Sequence, residues 1–201
     1  MKPALSVIGR SFRDLGSDFF TTAVCNLVWL LSQVLILPGP PATLALFFVA
    51  NRLAHGEVTD AGDLLRALPR YFGLGWRWGA VNLFLLLVLW GDFRLTGQFG
   101  DSPLLRLIQG FYLALLALWI LVQLMALPFL FEQVQPSLRQ AWRNGLVLMV
   151  KHPVFSLGTG LLTLLVLLAG IPLFLLTLAA GGLFVALVGN HAVLNRMTEG
   201  A

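Results

Sequence analysis

Charge is what this 201-residue chain has least of: Asp, Glu, Lys and Arg make up 11% of it, against roughly 25% in a typical soluble domain. Residues 19–51, 78–91, 107–131 and 153–190 carry no charged side chain at all. Runs of that kind exclude an ordinary soluble fold and belong in lipid, where one Arg, Lys or Asp at a helix centre costs about 2.5–3.5 kcal/mol. No carboxylate, lysine, arginine or histidine interrupts them, which argues against ion-coupled pumping, because an intramembrane ionisable group is the usual relay. Cysteine is nearly missing as well. Cys25 stands alone, so no intrachain disulfide forms, redox compartment is not readable, and an inert buried thiol is expected. No Ser/His/Asp set has a workable spacing. Neither Gly158-Thr159-Gly160 nor Gly181-Gly182 follows a strand or carries the lysine of a phosphate loop. His55, His152 and His191 lie far apart, without metal-ligand spacing. We therefore expect no enzymatic activity, no cofactor and no metal.

What is present is apolar surface, 58% of residues, and it predicts an all-α polytopic membrane bundle forming one domain over residues 1–201. The net charge of +4 does not point to nucleic acid. The basic residues cluster at the ends of apolar segments, where they fix orientation and meet anionic lipid headgroups. Residues 1–18 are basic and lead into an apolar stretch too long for a cleavable signal, so an uncleaved first helix is expected.

Six apolar segments are expected. The first covers residues 19–37, and Pro38-Gly39-Pro40-Pro41 stops it, since consecutive prolines cannot continue a helix while Pro41 suits the first turn of the next. Residues 42–53 form a second, short segment that either crosses or dips in as a re-entrant hairpin; both place Arg52 on the side of the N-terminus. Residues 79–91, 107–131, 153–168 and 173–188 supply the rest, with residues 92–106 as an exposed connection, a break at Gly170-Ile171-Pro172, and a polar tail over 189–201. Two short amphipathic helices are expected in the interface. Over residues 59–72, Asp60 caps the helix with Asp63 at its third position; Leu64, Leu65, Leu68, Tyr71 and Phe72 form one face and Asp63, Arg66 and Arg70 the other. Within residues 132–152, Leu138, Ala141, Trp142 and Met149 form an apolar stripe beside Arg139 and Arg143. Leu65-Arg66-x-x-x-Arg70 recurs as Leu138-Arg139-x-x-x-Arg143, which raises the alternatives of an internal duplication (19–91 and 107–190) or of unrelated basic pairs on two interfacial helices.

Of the 13 Lys and Arg residues, all but Arg94 and Arg106 fall on one side if the N-terminus is cytoplasmic. The bias of positive charge toward cytoplasmic loops then gives both termini inside.

Candidate functional residues are of two kinds. Asn26 and Gln33 share a face one heptad apart and, with Gln123, are candidates for an intramembrane polar site, the alternative being hydrogen bonds between helices. Arg66, Arg70, Arg139 and Arg143 either meet lipid phosphates or form a docking surface for a partner such as an importer permease or ATPase.

The order of features resembles the bacterial YesL family. The residues that carry the resemblance are Asn26-Leu27-Val28-Trp29-Leu30-Leu31, Pro38-Gly39-Pro40-Pro41-Ala42-Thr43-Leu44-Ala45, and Asn51-Arg52-Leu53 followed by Gly56-Glu57. Leu138-Arg139-Gln140-Ala141-Trp142-Arg143-Asn144 and Lys151-His152-Pro153 continue it, and the doubled Pro40-Pro41 departs from it. The resemblance implies a small multi-pass protein of the bacterial inner membrane that serves as an accessory to carbohydrate or solute import. A small solute-binding subunit of an importer is the rival expectation. The family brings no functional residues to carry over.

Overall fold

The computed structural model describes residues 2–100 and 102–199, and these are helical, with no strand among them. Nine α-helices follow in order: α1 (Lys2–Ser17), α2 (Phe19–Val34), α3 (Gly39–Ala54), α4 (Ala61–Arg70), α5 (Phe72–Gln98), α6 (Pro103–Phe131), α7 (Leu138–Lys151), α8 (Pro153–Ala169) and α9 (Phe174–Glu199). A 3-10 turn, Ile171–Leu173, joins α8 to α9. The all-helical expectation holds.

Of the six expected apolar segments, length and composition support three to five as membrane crossings. Three segments are long and apolar enough to cross: α5, α6 and Ile171–Thr198. Two bent pairs, α1 with α2 at 98° and α7 with α8 at 106°, bring the count to five if each is taken as one broken span. α3 fails because its 16 residues reach only about 24 Å, short of the ~30 Å hydrocarbon core. Protein, not lipid, surrounds it: Ala42, Leu44, Ala45, Leu46, Val49 and Ala50 are all buried, and α2, α4, α5, α6 and α9 pack around it.

α1 is a separate amphipathic helix that the sequence reading merged into a basic lead. Ala4, Val7, Ile8 and Ser11 are buried at helical spacing, while Lys2, Arg10 and Arg13 are exposed. It lies across α8 and α9, and Asp14 holds His191 of α9 at 2.7 Å. Asp18 ends α1 and caps α2, accepting from the Thr21 N–H at 3.1 Å.

The α2–α3 turn is tighter than expected. α3 begins at Gly39, so Pro40 and Pro41 both occupy its first turn, where the missing N–H groups would be unbonded anyway. The turn forces Ile36 to φ +60°, a left-handed conformation that costs an ordinary residue roughly 1–2 kcal/mol. The turn packs on the beginning of α5: the Trp76 indole donates to the Leu37 carbonyl at 3.0 Å. A Cβ added at Gly75 would lie 2.6 Å from Pro41 backbone.

Two connections are shorter than the sequence reading has them. Residues 92–106 are not an open loop, because α5 runs on to Gln98 and α6 starts at Pro103. Within α5, Trp90 stacks on Phe93 with centroids 6.1 Å apart, and Gln109 of α6 donates to the Phe93 carbonyl at 3.3 Å, so a contact inside the helix and one from α6 keep the α5 end wound. The polar tail is likewise helical as far as Glu199, because Ala192 and Val193 are buried against α1 and α8 side chains. Gly200 and Ala201 lie outside the described residues.

Candidate partner-docking face

The basic residues of α4 are held by their neighbours. Asp60 accepts from the Asp63 N–H at 2.8 Å, and Asp63 accepts from the Asp60 N–H at 3.1 Å, closing a reciprocal cap. Arg66 then bonds Asp63 at 2.9 Å and Asp60 at 3.2 Å, and Arg52 bonds Glu57 at 2.7 Å and Asp63 at 3.0 Å. Burial acts to raise the Asp63 carboxyl. The Arg66 hydrogen bond, the Asp60 N–H and the two nearby guanidinium charges outweigh it, leaving the group below its ordinary range. Arg70 lies over Phe48 and Tyr71, 5.9 and 5.4 Å from the ring centroids. The expected apolar face of α4 divides: Leu64, Ala67 and Tyr71 enter the core, whereas Leu65 is 55% exposed.

The α7 arginines differ. Arg139 and Arg143 are exposed, and neither makes an ion pair or hydrogen bond among the described residues. α7 packs back along α6 through Ala141, Gly145 and Leu148, which leaves the two guanidinium groups one turn apart on the outer face. Beside them is an open cleft of about 550 Å³ between the end of α6, the 132–137 connection, α7 and the end of α9. Phe129, Val134 and Met197 supply its apolar lining. Glu132, Gln133, Gln135, Gln140 and Asn144 supply the polar part.

Under that cleft is a polar junction, buried at Asn51 and Asn190 and open to the surface at His55, that the sequence reading missed. The Asn51 amide donates to Glu132 at 2.6 Å and to Asn190 at 3.0 Å, and the His55 ring nitrogen meets the same Glu132 oxygen at 2.9 Å. Asn190 in turn donates to the Ala186 and Phe47 carbonyls at 2.8 and 3.4 Å. One signal was available: Asn51 and Asn190 are the final residues of two charge-free runs, and Glu132 follows directly on a third. The ends of α3 and α6 meet the interior of α9 there.

Asn26, Gln33 and Gln123 do not form one site. Asn26, 1% exposed, bridges α2 to the α9 backbone, donating to the Leu178 carbonyl at 2.6 Å and accepting from the Leu183 N–H at 3.0 Å. A Cβ at Gly182 would come within 2.7 Å of both the Asn26 amide oxygen and the Trp29 ring, so α9 offers that bridge only at a glycine. Gln33 is exposed and secures the α2–α3 turn, donating to the Gly39 carbonyl at 3.0 Å and to Thr43 at 3.3 Å. Gln123 accepts from the Trp78 and Trp142 indoles at 2.9 and 3.3 Å. Its Nε2 is buried without a hydrogen-bond partner among the described residues. Each carboxamide thus serves a separate helix contact. His152 is exposed while His55 and His191 each pair with a different carboxylate, and among the described residues no three His, Cys, Asp or Glu side chains gather as metal ligands.

No family model, curated protein or solved structure matches the chain.

Proposed function

We propose that this chain is an accessory subunit of a bacterial inner membrane, with both termini cytoplasmic, that docks an importer permease or ATPase through α7. The observation that carries the reading is the state of Arg139 and Arg143. A guanidinium already committed to intramolecular carboxylates has little to offer a partner, and that is the condition of Arg66. Arg70 is spread over two rings. Arg139 and Arg143 keep their full donor sets for planar, bidentate recognition of a carboxylate. The docking pair of this proposal is therefore narrower than the four arginines read from sequence. The membrane setting draws on the three to five candidate spans, and the orientation on the charge bias of the loops. The link to solute import comes from the resemblance to the YesL family. The solute-carrier alternative loses support, because Asn26, Gln33 and the carbonyl oxygen of Gln123 are engaged within the protein.

The test is purification from native membranes in a gentle detergent, with mass spectrometry of proteins and small molecules. The wild type and an Arg66→Gln/Arg70→Gln variant are expected to bring down the permease or ATPase, and Arg139→Gln/Arg143→Gln to lose it. A sugar or vitamin retained with no protein partner, equally in all three, would sink the proposal.

A further inference from the structure

Resting on that docking reading, we infer that the cleft beside α7 receives an extended peptide segment of the partner, one that carries an apolar side chain between acidic ones. Gln135, Gln140 and Asn144 line the cleft, and none of them has a hydrogen-bond partner among the described residues. A carboxamide offers a donor and an acceptor together, the pair that an extended peptide backbone presents from every residue. Gln140 and Asn144 stand four residues apart, one turn of α7, as do Arg139 and Arg143 immediately before them in the chain. Backbone-reading groups and carboxylate-reading groups are thus stepped together along one helix.

The remaining lining sets the sign and the anchor. Glu132 is the one charged residue among the lining, and Asn51 and His55 already hold its carboxylate. Arg139 and Arg143 are not in the lining; they precede Gln140 and Asn144 in α7, so the acidic side chains of the segment meet them outside the cleft, while the single carboxylate of the lining is already bonded from below. Phe129 and the half-exposed Met197 provide apolar surface where a leucine-sized side chain is desolvated, and methionine adapts readily to such a guest. A lipid headgroup would use the arginines but would leave the three carboxamides and the apolar lining without a role.

The probe is a dye-labelled pentapeptide with a central leucine flanked by glutamates, titrated by fluorescence anisotropy against the full chain in detergent. Binding is expected, with about tenfold loss on Gln140→Ala/Asn144→Ala, the scale of one or two hydrogen bonds, although the net charge is unchanged. A comparable loss is expected when serine replaces the leucine, and no binding when lysines replace the glutamates. Undiminished binding by the carboxamide variant, or by the serine peptide, would overturn the inference and leave simple charge attraction. Thermal melting of the variant equal to that of the wild type excludes misfolding as the cause of a loss. The two readings separate in the native-membrane purification. If Gln140→Ala/Asn144→Ala retains the permease or ATPase while Arg139→Gln/Arg143→Gln does not, docking stands and the peptide cleft falls; if both variants retain it, both readings fall.

Discussion

Asn26 shows how a single polar residue inside an apolar run divides into role and appearance. Its position within residues 19–51 marks it as unusual, but its partners lie 152 and 157 residues away in the chain, beyond anything a local pattern contains. Leucine in its place keeps the branched shape but is larger, and it removes both the donation to the Leu178 carbonyl and the bond from the Leu183 N–H. Each lost hydrogen bond is worth about 0.5–1.5 kcal/mol, so Asn26→Leu is expected to lower the melting temperature in detergent clearly. Gly182→Val should do the same from the opposite helix, since its branched side chain enters the space of Asn26 and Trp29. Gln33→Ala, on an exposed turn, should stay within about 1 kcal/mol, the worth of an ordinary hydrogen bond. Wild-type melting of Asn26→Leu would show that the bridge contributes nothing. The glycine was legible only as one small residue among several. Its necessity appears when the facing amide is placed.

At the scale of elements, legibility follows the range of the interaction that decides the structure. The α4 cap was readable because Asp60 and Asp63 are three residues apart and bond each other. The end of α5 was not, because the Gln109 side chain that helps keep it wound belongs to α6. Nor was the identity of α1, whose buried face becomes meaningful only against α8 and α9. The recurring Leu-Arg-x-x-x-Arg pattern also falls differently in its two helices: Asp60 caps α4 with its side chain, whereas Ser137 makes no side-chain capping bond to α7. For α4, Asp63→Ala removes half of the reciprocal cap and partners of two arginines, with an expected local cost of about 1 kcal/mol. Hydrogen exchange over Ala61–Arg70 reads it as lost protection. The pH dependence has a defined sign. The folded Asp63 carboxyl titrates below its unfolded value, so its contribution is present above the ordinary Asp range near pH 4 and fades as pH falls through the depressed value. α4 protection in the wild type should therefore exceed that of Asp63→Ala at pH 6 and approach it only in strong acid. An equal difference at both extremes would remove the carboxylate from the explanation.

For the whole molecule, composition was enough for the all-helical class and for apolar helices in several crossings, because lipid imposes a limit on charge that any sequence displays. The number of crossings was not legible, since it depends on where short helices are packed. α2 and α3 are 16 residues each, and their turn touches α5 at Gly75 and Trp76, near the start of that helix. From Trp76 to Gln98 α5 rises by about 33 Å, more than the ~30 Å hydrocarbon thickness. If α5 crosses outward from the cytoplasm, the α2–α3 turn cannot reach the outer face, and the hairpin is re-entrant. Accessibility labelling with a membrane-impermeant maleimide decides this in intact cells. The buried native thiol is first removed by Cys25→Ala, and single reporters are placed at Leu37→Cys, Gln98→Cys and Gln135→Cys. Gln98→Cys should label from outside, Gln135→Cys only after permeabilisation, and Leu37→Cys not from outside. Outside labelling at Gln135 without Gln98 would invert the proposed orientation. Outside labelling at Leu37 together with Gln98 would make α2 and α3 true crossings, and would require the contact between Leu37 and Trp76 to be absent in the membrane.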